Sequence, residues 1–382
     1  MNFSLKSLVW FVALLGSTSS ANAGAPGGIV LAWGKNDYGQ INVPANLTNA
    51  TAVAGGLSHS LALRADGTVV AWGYNLYGQT NVPSGLTDAK AIAAGTYHSM
   101  GLRSNGTVVA WGFNNYNQTN IPPGLAGIAA IASGGNHCLA LRSNGTVVAW
   151  GNNSVLQTNV PADLTNVVAI AAGGDHNLAL KGDGTVVFWG YQALSPPDLP
   201  AGLTNVAFIG SGTEHCLAVK SNGTMVAWGF NAKNQTNVPP GLTNAAAVTG
   251  GLAHSLALRK DGTVIGWGNN SSNQTNVLSD LTNVFAIAAG SSHNLVIVDR
   301  STVIPQAPWF DVSPGNLQLT GTGLNLRVKG LVGRGFMILL GSTNLVNWDL
   351  VAFRLSVVGD FQYVDASATN RPQRFYRVDE QR

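Results

Sequence analysis

The sequence predicts an all-β protein: a seven-bladed β-propeller closed by its N- and C-terminal strands and followed by a small β-sandwich domain. Three observations predict this fold. A 39-residue period recurs seven times without insertion or deletion, each copy alternates large and small residues around a Gly-containing turn, and the first and last copies are incomplete in complementary ways. With 45% hydrophobic and only 10% charged residues, the composition excludes a disordered chain.

The N-terminal residues 1–23 have the pattern of a secretory signal peptide. Lys6 precedes an apolar run over 8–15, and Ala21-Asn22-Ala23 forms a small-x-small cleavage site before Gly24. The apolar run is too short to span a bilayer, and no later segment approaches the roughly 20 apolar residues that a membrane helix needs. We therefore expect a protein without a membrane span, secreted, periplasmic or on the cell surface.

The period is defined by residues that recur at the same place in every copy. All seven His residues of the chain belong to it: His59, His98, His137, His176, His215, His254 and His293. Seven of the ten Trp residues keep the same spacing, from Trp33 to Trp267, and so does a Gly three residues before each His.

Each copy reads as three strands. In the second copy an apolar first strand ends at Gly95, and a second strand begins at His98. Asn105-Gly106 follows, the residue pair typical of a two-residue type I′ hairpin turn, and the third strand ends at Trp111-Gly112. A loop of about 15 residues, rich in Pro and Gly, leads to the next copy.

The chain ends predict how the copies are arranged. The first recognisable strand, Ile29 to Trp33, is a third strand with no partner before it, whereas the last copy stops after Val298 with Asp299-Arg300 in place of the turn. In a ring the N-terminal strand completes the last blade and no edge stays unpaired. We therefore assign residues 28–303 to a closed propeller.

The strings GTYHSMGLRSNGTVVAWG and WGYNLYGQTNVP resemble the repeats of the regulator of chromosome condensation family. The resemblance covers about residues 28–300 and implies a seven-bladed propeller. The short, gap-free copies are similar to the secreted bacterial form seen in the type II beta-lactamase inhibitory protein, and this resemblance implies a bacterial protein that binds through loops on one face. The eukaryotic exchange factor of the family acts on a small GTPase through an inserted wedge, and copies of unvarying length leave no room for that insert.

Charge argues against a nucleic-acid partner. The formal net charge of the chain is +3, but residues 24–304 carry 11 basic and 11 acidic side chains. A propeller without net charge lacks the basic surface that binds the phosphates of a nucleic acid.

Binding specificity is expected where the copies differ, on the face that carries the loops before each His and after each Trp-Gly. Exposed aromatic residues suit protein or carbohydrate recognition, with packing of loop against loop as the alternative. The candidate binding residues are Tyr38, Tyr74, Tyr77, Tyr97, Phe113, Tyr116, Asp175, Tyr191, Glu214 and Phe230. Asp175 and Glu214 occupy equivalent positions in adjacent blades, where they form either an acidic spot, a Ca²⁺ site, an acid/base pair, or merely local hydrogen bonds.

The His and Cys residues are interpreted as structural. Equivalent His residues on separate blades cannot converge on one metal ion, and we expect each imidazole to bond to backbone. Cys138 and Cys216 lie two blades apart, too far for a bridge, so we predict two free, buried thiols. We therefore predict no catalytic residue, no metal and no cofactor.

The period ends before Pro305. We expect a linker over 304–312 and a small β-sandwich-like module over 313–382, whose alternating segments resemble C-terminal modules of secreted proteins from environmental bacteria. Surface attachment, a second binding module and a cap remain open for it. In blade five, YQALSPPDLP replaces the usual Gln-Thr-Asn-Val-Pro loop.

These observations favour a monomeric, secreted, non-enzymatic binding protein that recognises an extracytoplasmic protein or glycan through the aromatic loop face. The alternatives are an inhibitor of an extracytoplasmic enzyme such as a beta-lactamase, a structural surface-assembly protein, and a propeller-based enzyme acting on glycans.

Overall fold

The computed structural model describes residues 27–191, 199–279 and 281–299, together with the backbone of strand β1 (Ser19–Ser20) and of the C-terminal strands. The chain divides into two compact units, Met1–Thr302 and Val303–Arg382. The described residues include no α-helix and therefore no helix able to cross a membrane. Apart from β1, the predicted leader over 1–23 lies outside the described residues, as do 192–198 of the unusual loop.

The first unit is built from three-stranded antiparallel blades. Their inner strands are β3 (Ala50–Gly55), β6 (Ala89–Ala94), β9 (Ile128–Ser133), β12 (Val167–Ala172), β15 (Val206–Ser211), β18 (Ala245–Gly250) and β21 (Val284–Ala289). The middle strands are β4 (His59–Arg64), β7 (His98–Arg103), β10 (His137–Arg142), β13 (His176–Lys181), β16 (His215–Lys220), β19 (His254–Arg259) and β22 (His293–Val298). The outer strands are β5 (Val69–Gly73), β8 (Val108–Gly112), β11 (Val147–Gly151), β14 (Val186–Gly190), β17 (Met225–Gly229), β20 (Val264–Gly268) and β2 (Ile29–Gly34).

The ring closes by strand exchange, which confirms the predicted propeller. Strand β2, the first of the ring along the chain, pairs antiparallel with β22, the last, and places Gly34 opposite His293. Every other blade repeats this register within itself, as Gly73 does opposite His59. The short strand β1 pairs with the inner edge of β6, with Ser19 opposite Ile92.

The hairpin turns differ from the predicted type. In the first blade Arg64 pairs with Thr68 across three residues, and Gly67 has a φ of 82° while Asp66 is not in the positive-φ region. A type I′ turn needs positive φ at both central residues, so this is a three-residue loop whose Gly occupies the left-handed position. The Asp66 carboxylate stabilises it by accepting hydrogen bonds from both the backbone N–H and the hydroxyl of Thr68.

The core lies between blades rather than within them. One cluster joins Leu61 and Leu63 of the first blade to Ile92 and Trp111 of the second. Because a three-stranded sheet cannot cover both of its own faces, each blade buries its apolar side chains against the next.

The inner ends of the blades approach closely around a central cavity of about 110 Å³. Main-chain hydrogen bonds link neighbouring blades there, among them Thr96 N–H to Gly135 O at 3.1 Å and Gly174 N–H to Thr213 O at 2.9 Å. A Cβ at Gly95 would overlap the His98 ring and stand 2.7 Å from the Gly134 carbonyl oxygen. The repeated Gly is therefore required by packing between blades.

The second unit contains two antiparallel sheets. Their strands are β23 (Trp309–Phe310), β24 (Leu317–Thr320), β25 (Gly323–Val332), β26 (Phe336–Ser342), β27 (Asp349–Leu355), β28 (Val358–Asp365) and β29 (Phe375–Gln381). In one sheet β25 pairs with β23, β24 and β28, and in the other β26 lies between β27 and β29. Strand β23 falls inside the predicted linker over 304–312.

Candidate binding face

The loops after each Trp-Gly are held by their own side chains. In the second loop the Asn75 amide donates to Asn81 Oδ1 at 2.8 Å, and Asn75 Oδ1 accepts from the backbone N–H of Thr80 at 2.9 Å. The buried Gln79 side chain accepts from the backbone N–H of Tyr77 at 3.0 Å. The repeat therefore fixes the backbone that presents the tyrosine.

Six predicted residues form one continuous cluster, which we call the aromatic arc: Tyr38, Tyr74, Tyr77, Tyr97, Phe113 and Tyr116. Adjacent blades meet where the ring centroids of Tyr38 and Tyr74 lie 4.7 Å apart, and those of Tyr77 and Phe113 lie 4.9 Å apart. Tyr97, from the loop before His98, contacts Tyr77 at 5.1 Å. The loops before each His and after each Trp-Gly therefore share a face here.

The arc is open to solvent although its rings pack on one another. Tyr38, Tyr77 and Tyr116 are 54%, 42% and 46% exposed, and the neighbouring Leu76 is 71% exposed. Tyr74 is partly covered, and this desolvation, with the nearby tyrosines, raises the pKa of its phenol. Loop-to-loop packing and exposure thus occur together, and the rings form a supported apolar surface.

The remaining predicted residues lie outside the arc. Asp175 accepts a hydrogen bond from the Gln157 side chain at 3.0 Å. Tyr191 and Glu214 line a small pocket between the fourth and fifth blades, and Phe230 is 37% exposed. Within the described ranges no group of three or more His, Cys, Asp or Glu side chains is placed to hold a metal ion.

The junctions between blades are hydrogen-bonded through side chains. His59 Nε2 lies 3.1 Å from Ser99 Oγ of the next blade, and Ser99 donates to the main-chain oxygen of Gln79 at 2.9 Å. The Trp111 indole donates to the same oxygen at 2.9 Å. Since the Ser99 proton goes to the Gln79 carbonyl, the imidazole must donate through Nε2.

Sequence reasoning expected these imidazoles to bond to backbone, and the structure shows a side-chain partner instead. The first six repeat His residues each contact the residue 40 positions on, and His293 contacts Ser60 to close the ring. Burial lowers the pKa of His59, His98, His215 and His293 to about 3. It lowers the pKa of His176 and His254 to about 4, and the pKa of His137 is shifted in the same direction. All seven rings are therefore neutral at pH 7.

Cys138 and Cys216 are free and buried, as predicted. Cys138 takes the place of Ser99 in its own junction, contacting His98 Nε2 at 3.2 Å and the Gln118 main-chain oxygen at 3.4 Å. Burial raises the pKa of both thiols, so neither is a reactive thiolate.

One junction departs from the others, and sequence reasoning missed its consequence. Pro196 stands where six other copies have Gln, and Phe188 stands where most have Ala. The Trp228 indole, equivalent to that of Trp111, is buried with no hydrogen-bond partner among the described residues. The signal in the sequence was the replacement of the whole repeat loop by YQALSPPDLP rather than the loss of a Gln side chain, because the acceptor at the other junctions is a main-chain oxygen.

This architecture defines a class: a closed seven-bladed propeller of short repeats with an aromatic loop face. Residues 50–79, 89–118, 128–157, 167–193 and 245–274 match the Regulator of chromosome condensation (RCC1) repeat. Five of the seven copies therefore match RCC1 repeats, which confirms the resemblance to the repeats of that family. A comparison with curated protein sequences finds no match.

Several solved structures are similar to this propeller in fold. Prp20p from Saccharomyces cerevisiae, studied for its binding to Gsp1p and histones, is similar with a TM-score of 0.61 at 19% identity, over 74% of this chain and 94% of Prp20p. Human WBSCR16 is similar with a TM-score of 0.57 at 18% identity, over 71% of this chain and 99% of the WBSCR16 chain. The ectodomain of the Physcomitrella patens receptor kinase CR4 is similar with a TM-score of 0.55 at 23% identity, over 66% of this chain and 71% of the CR4 chain. These likenesses concern the fold.

Proposed function

We propose that this protein is a secreted, non-enzymatic binding protein that recognises a protein partner through the aromatic arc. The observation that carries the proposal is the continuity of six aromatic side chains across neighbouring blades, with the outermost tyrosines about half exposed. Tyrosine buries a large area with few rotatable bonds, which makes such clusters effective anchors at protein interfaces.

The ring geometry favours a protein over a glycan. Contacting rings of the arc are inclined to one another by 50° to 70°. They form a ridged surface rather than the flat platform on which several sugar rings could stack together. Side chains of a partner fit between such ridges, and Leu76 extends the apolar area.

A binding role also accords with the other chemistry of the first unit. The seven imidazoles are buried and neutral at blade junctions, and the two thiols are buried with raised pKa values. The similar propeller Prp20p has been studied for its binding to Gsp1p and histones. This likeness supports a protein as the partner.

The leader pattern over residues 1–23 supports the proposed secretion. N-terminal sequencing of the exported protein should give a chain that begins near Gly24. A full-length chain retained in the cytoplasm would contradict this part of the proposal.

The binding face is tested by replacing Tyr38, Tyr77 and Tyr116 together with Ala. The matched control replaces Val155, Lys233 and Ser272, which hold the same repeat position in other blades, with Ala. Tagged wild type and both variants are exposed to the native secretome, and captured proteins are quantified by mass spectrometry. We expect one partner whose capture falls at least about tenfold with the Tyr variant alone, since anchor residues typically contribute several kcal/mol in total. Equal capture by all three proteins would refute the role of the arc.

A further inference from the structure

The aromatic arc alternates between prominent and recessed rings. Tyr38, Tyr77 and Tyr116 hold the same repeat position and are about half exposed. Tyr74 contacts both of the first two, Phe113 contacts both of the last two, and these two floor rings are less exposed. The arc therefore consists of three ridges and two recesses, each recess with an aromatic floor.

The blade repeat sets the distance between the ridges. The Tyr74 ring centroid lies 4.7 Å from that of Tyr38 and 6.4 Å from that of Tyr77, so these two ridges are at most about 11 Å apart. The Phe113 centroid lies 4.9 Å from that of Tyr77 and 6.2 Å from that of Tyr116, which gives the same limit for the next pair. Equivalent residues of neighbouring blades should stand close to this limit, because packed sheets lie about 10 Å apart. A peptide that fills both recesses therefore needs a repeat of about 10 Å.

The polyproline II conformation has such a repeat. It contains three residues per turn and rises about 3.1 Å per residue, so residues i and i+3 lie on the same side about 9 Å apart. In a β-strand the next residue on the same side follows after only about 7 Å. In an α-helix the side chain at i+3 or i+4 follows within about 6 Å. In both of these conformations the second side chain would meet the Tyr77 ridge instead of the second recess.

The charge of the arc favours an uncharged peptide. Residues 74–77 and 113–116 contain no charged side chain. The charges of Lys35 and Asp37, beside the first ridge, are paired with each other at 2.9 Å. An aromatic surface without free charge suits proline rings, which dock in aromatic-lined grooves.

The arc can also bind the main chain of such a peptide. A polyproline II helix has no internal hydrogen bonds, so its carbonyl oxygens remain free to accept from a partner. The phenol of the half-exposed Tyr77 can donate to one of them.

We propose that the aromatic arc binds an uncharged, proline-rich segment of a partner protein in the polyproline II conformation, with prolines at i and i+3 over Tyr74 and Phe113. The inference rests on the protein-binding function proposed above and names the class of partner. It can fail while that function holds, because the arc would then bind another kind of protein surface.

The test uses two fluorescently labelled peptides of identical Pro and Gln composition and of about twelve residues, or four turns of polyproline II. One has a proline at every third position, and the other has the same prolines at alternating spacings of two and four. Anisotropy measures their binding to the full-length protein. We expect the regular peptide to bind at least about tenfold more tightly, because only its prolines reach both recesses.

Single substitutions locate the bound peptide. Tyr77→Ala should weaken binding of the regular peptide at least about tenfold, since this ridge borders both recesses. Lys233→Ala, at the same repeat position outside the arc, should leave the affinity unchanged. Urea unfolding checks that the variants fold, and Tyr116→Ala replaces Tyr77→Ala if that variant does not.

Three results would overturn the proposal. Equal affinity for the two peptides would show that proline spacing is not recognised. Binding of neither peptide would exclude this class of partner. Affinity unchanged by Tyr77→Ala and by Tyr116→Ala would place the peptide outside the arc. If a secreted protein is nevertheless captured through the three exposed tyrosines, the binding function stands and only the class of partner is wrong.

Discussion

At the scale of single residues, most of the recurring side chains share one task, which is to satisfy buried polar groups where blades meet. The imidazole, the hydroxyl after the next His, the Gln carbonyl and the Trp indole form a connected set, as His59, Ser99, Gln79 and Trp111 show. Ser, Cys and Asn are interchangeable in it because each has a polar atom that reaches the Gln oxygen. Cys138 is therefore a substitute for Ser and carries no reactivity of its own.

Two equivalent Trp residues provide a measurement of one such bond. Trp111→Phe removes the donor to Gln79, and should lower the free energy of unfolding by about 1 kcal/mol more than Trp228→Phe. Both changes remove the same atoms from equivalent positions, at which the two Trp side chains are 7% and 6% exposed. Urea unfolding midpoints give the comparison. Equal losses would show that Trp228 has an acceptor in solution.

At the scale of elements, the period predicted the three strands of each blade and their closure, because strand alternation and the Gly turns are local signals. The turn type was wrong since it depends on the φ of Asp66, which the residue pair alone does not determine. The arc residues could be named because they occur at three repeat positions, two of them after the Trp and one before the His. Contacts such as Tyr38 with Tyr74 depend on how far apart adjacent blades stand, which spacing along the chain does not give.

Strand β2 makes a closing contact that a truncation can isolate. Removing residues 1–34 deletes β2, leaves the outer edge of β22 unpaired, and loses the burial of Val30, Leu31 and Trp33. We expect a loss of at least about 5 kcal/mol of stability, with self-association through the open edge. The matched control removes residues 1–27 and keeps β2. Size-exclusion chromatography and urea unfolding measure both. A 1–34 deletion as stable and monomeric as the control would contradict closure by β2.

At the scale of the whole molecule, the seven junctions make propeller stability depend on the neutral state of every His in the chain. The rings form one circuit, from His59 through successive blades to His293 and back to Ser60. The neighbouring imidazoles lower one another's pKa, and Asp175 opposes this at His137. At most junctions of the described residues, therefore, no neighbouring carboxylate raises the pKa of the imidazole and so stabilises its protonated form.

Acidification should consequently unfold the propeller over a narrow pH range. The folded-state pKa of most rings is about 3 or 4, below the unfolded value of 6.5, so the unfolded chain binds more protons as pH falls through 6.5. Each of these six rings should cost roughly 1 kcal/mol of stability at pH 6 and about 2 kcal/mol at pH 5, relative to pH 7.5. Because six such losses approach the whole stability of a typical domain, we expect the urea midpoint to drop sharply between pH 7 and pH 5. His98→Gln should reduce the number of protons taken up on unfolding by about one, so the free energy of unfolding should fall less steeply as the pH is lowered. A midpoint constant over that range would mean that the rings titrate normally in the folded protein, and the circuit of neutral imidazoles would be wrong.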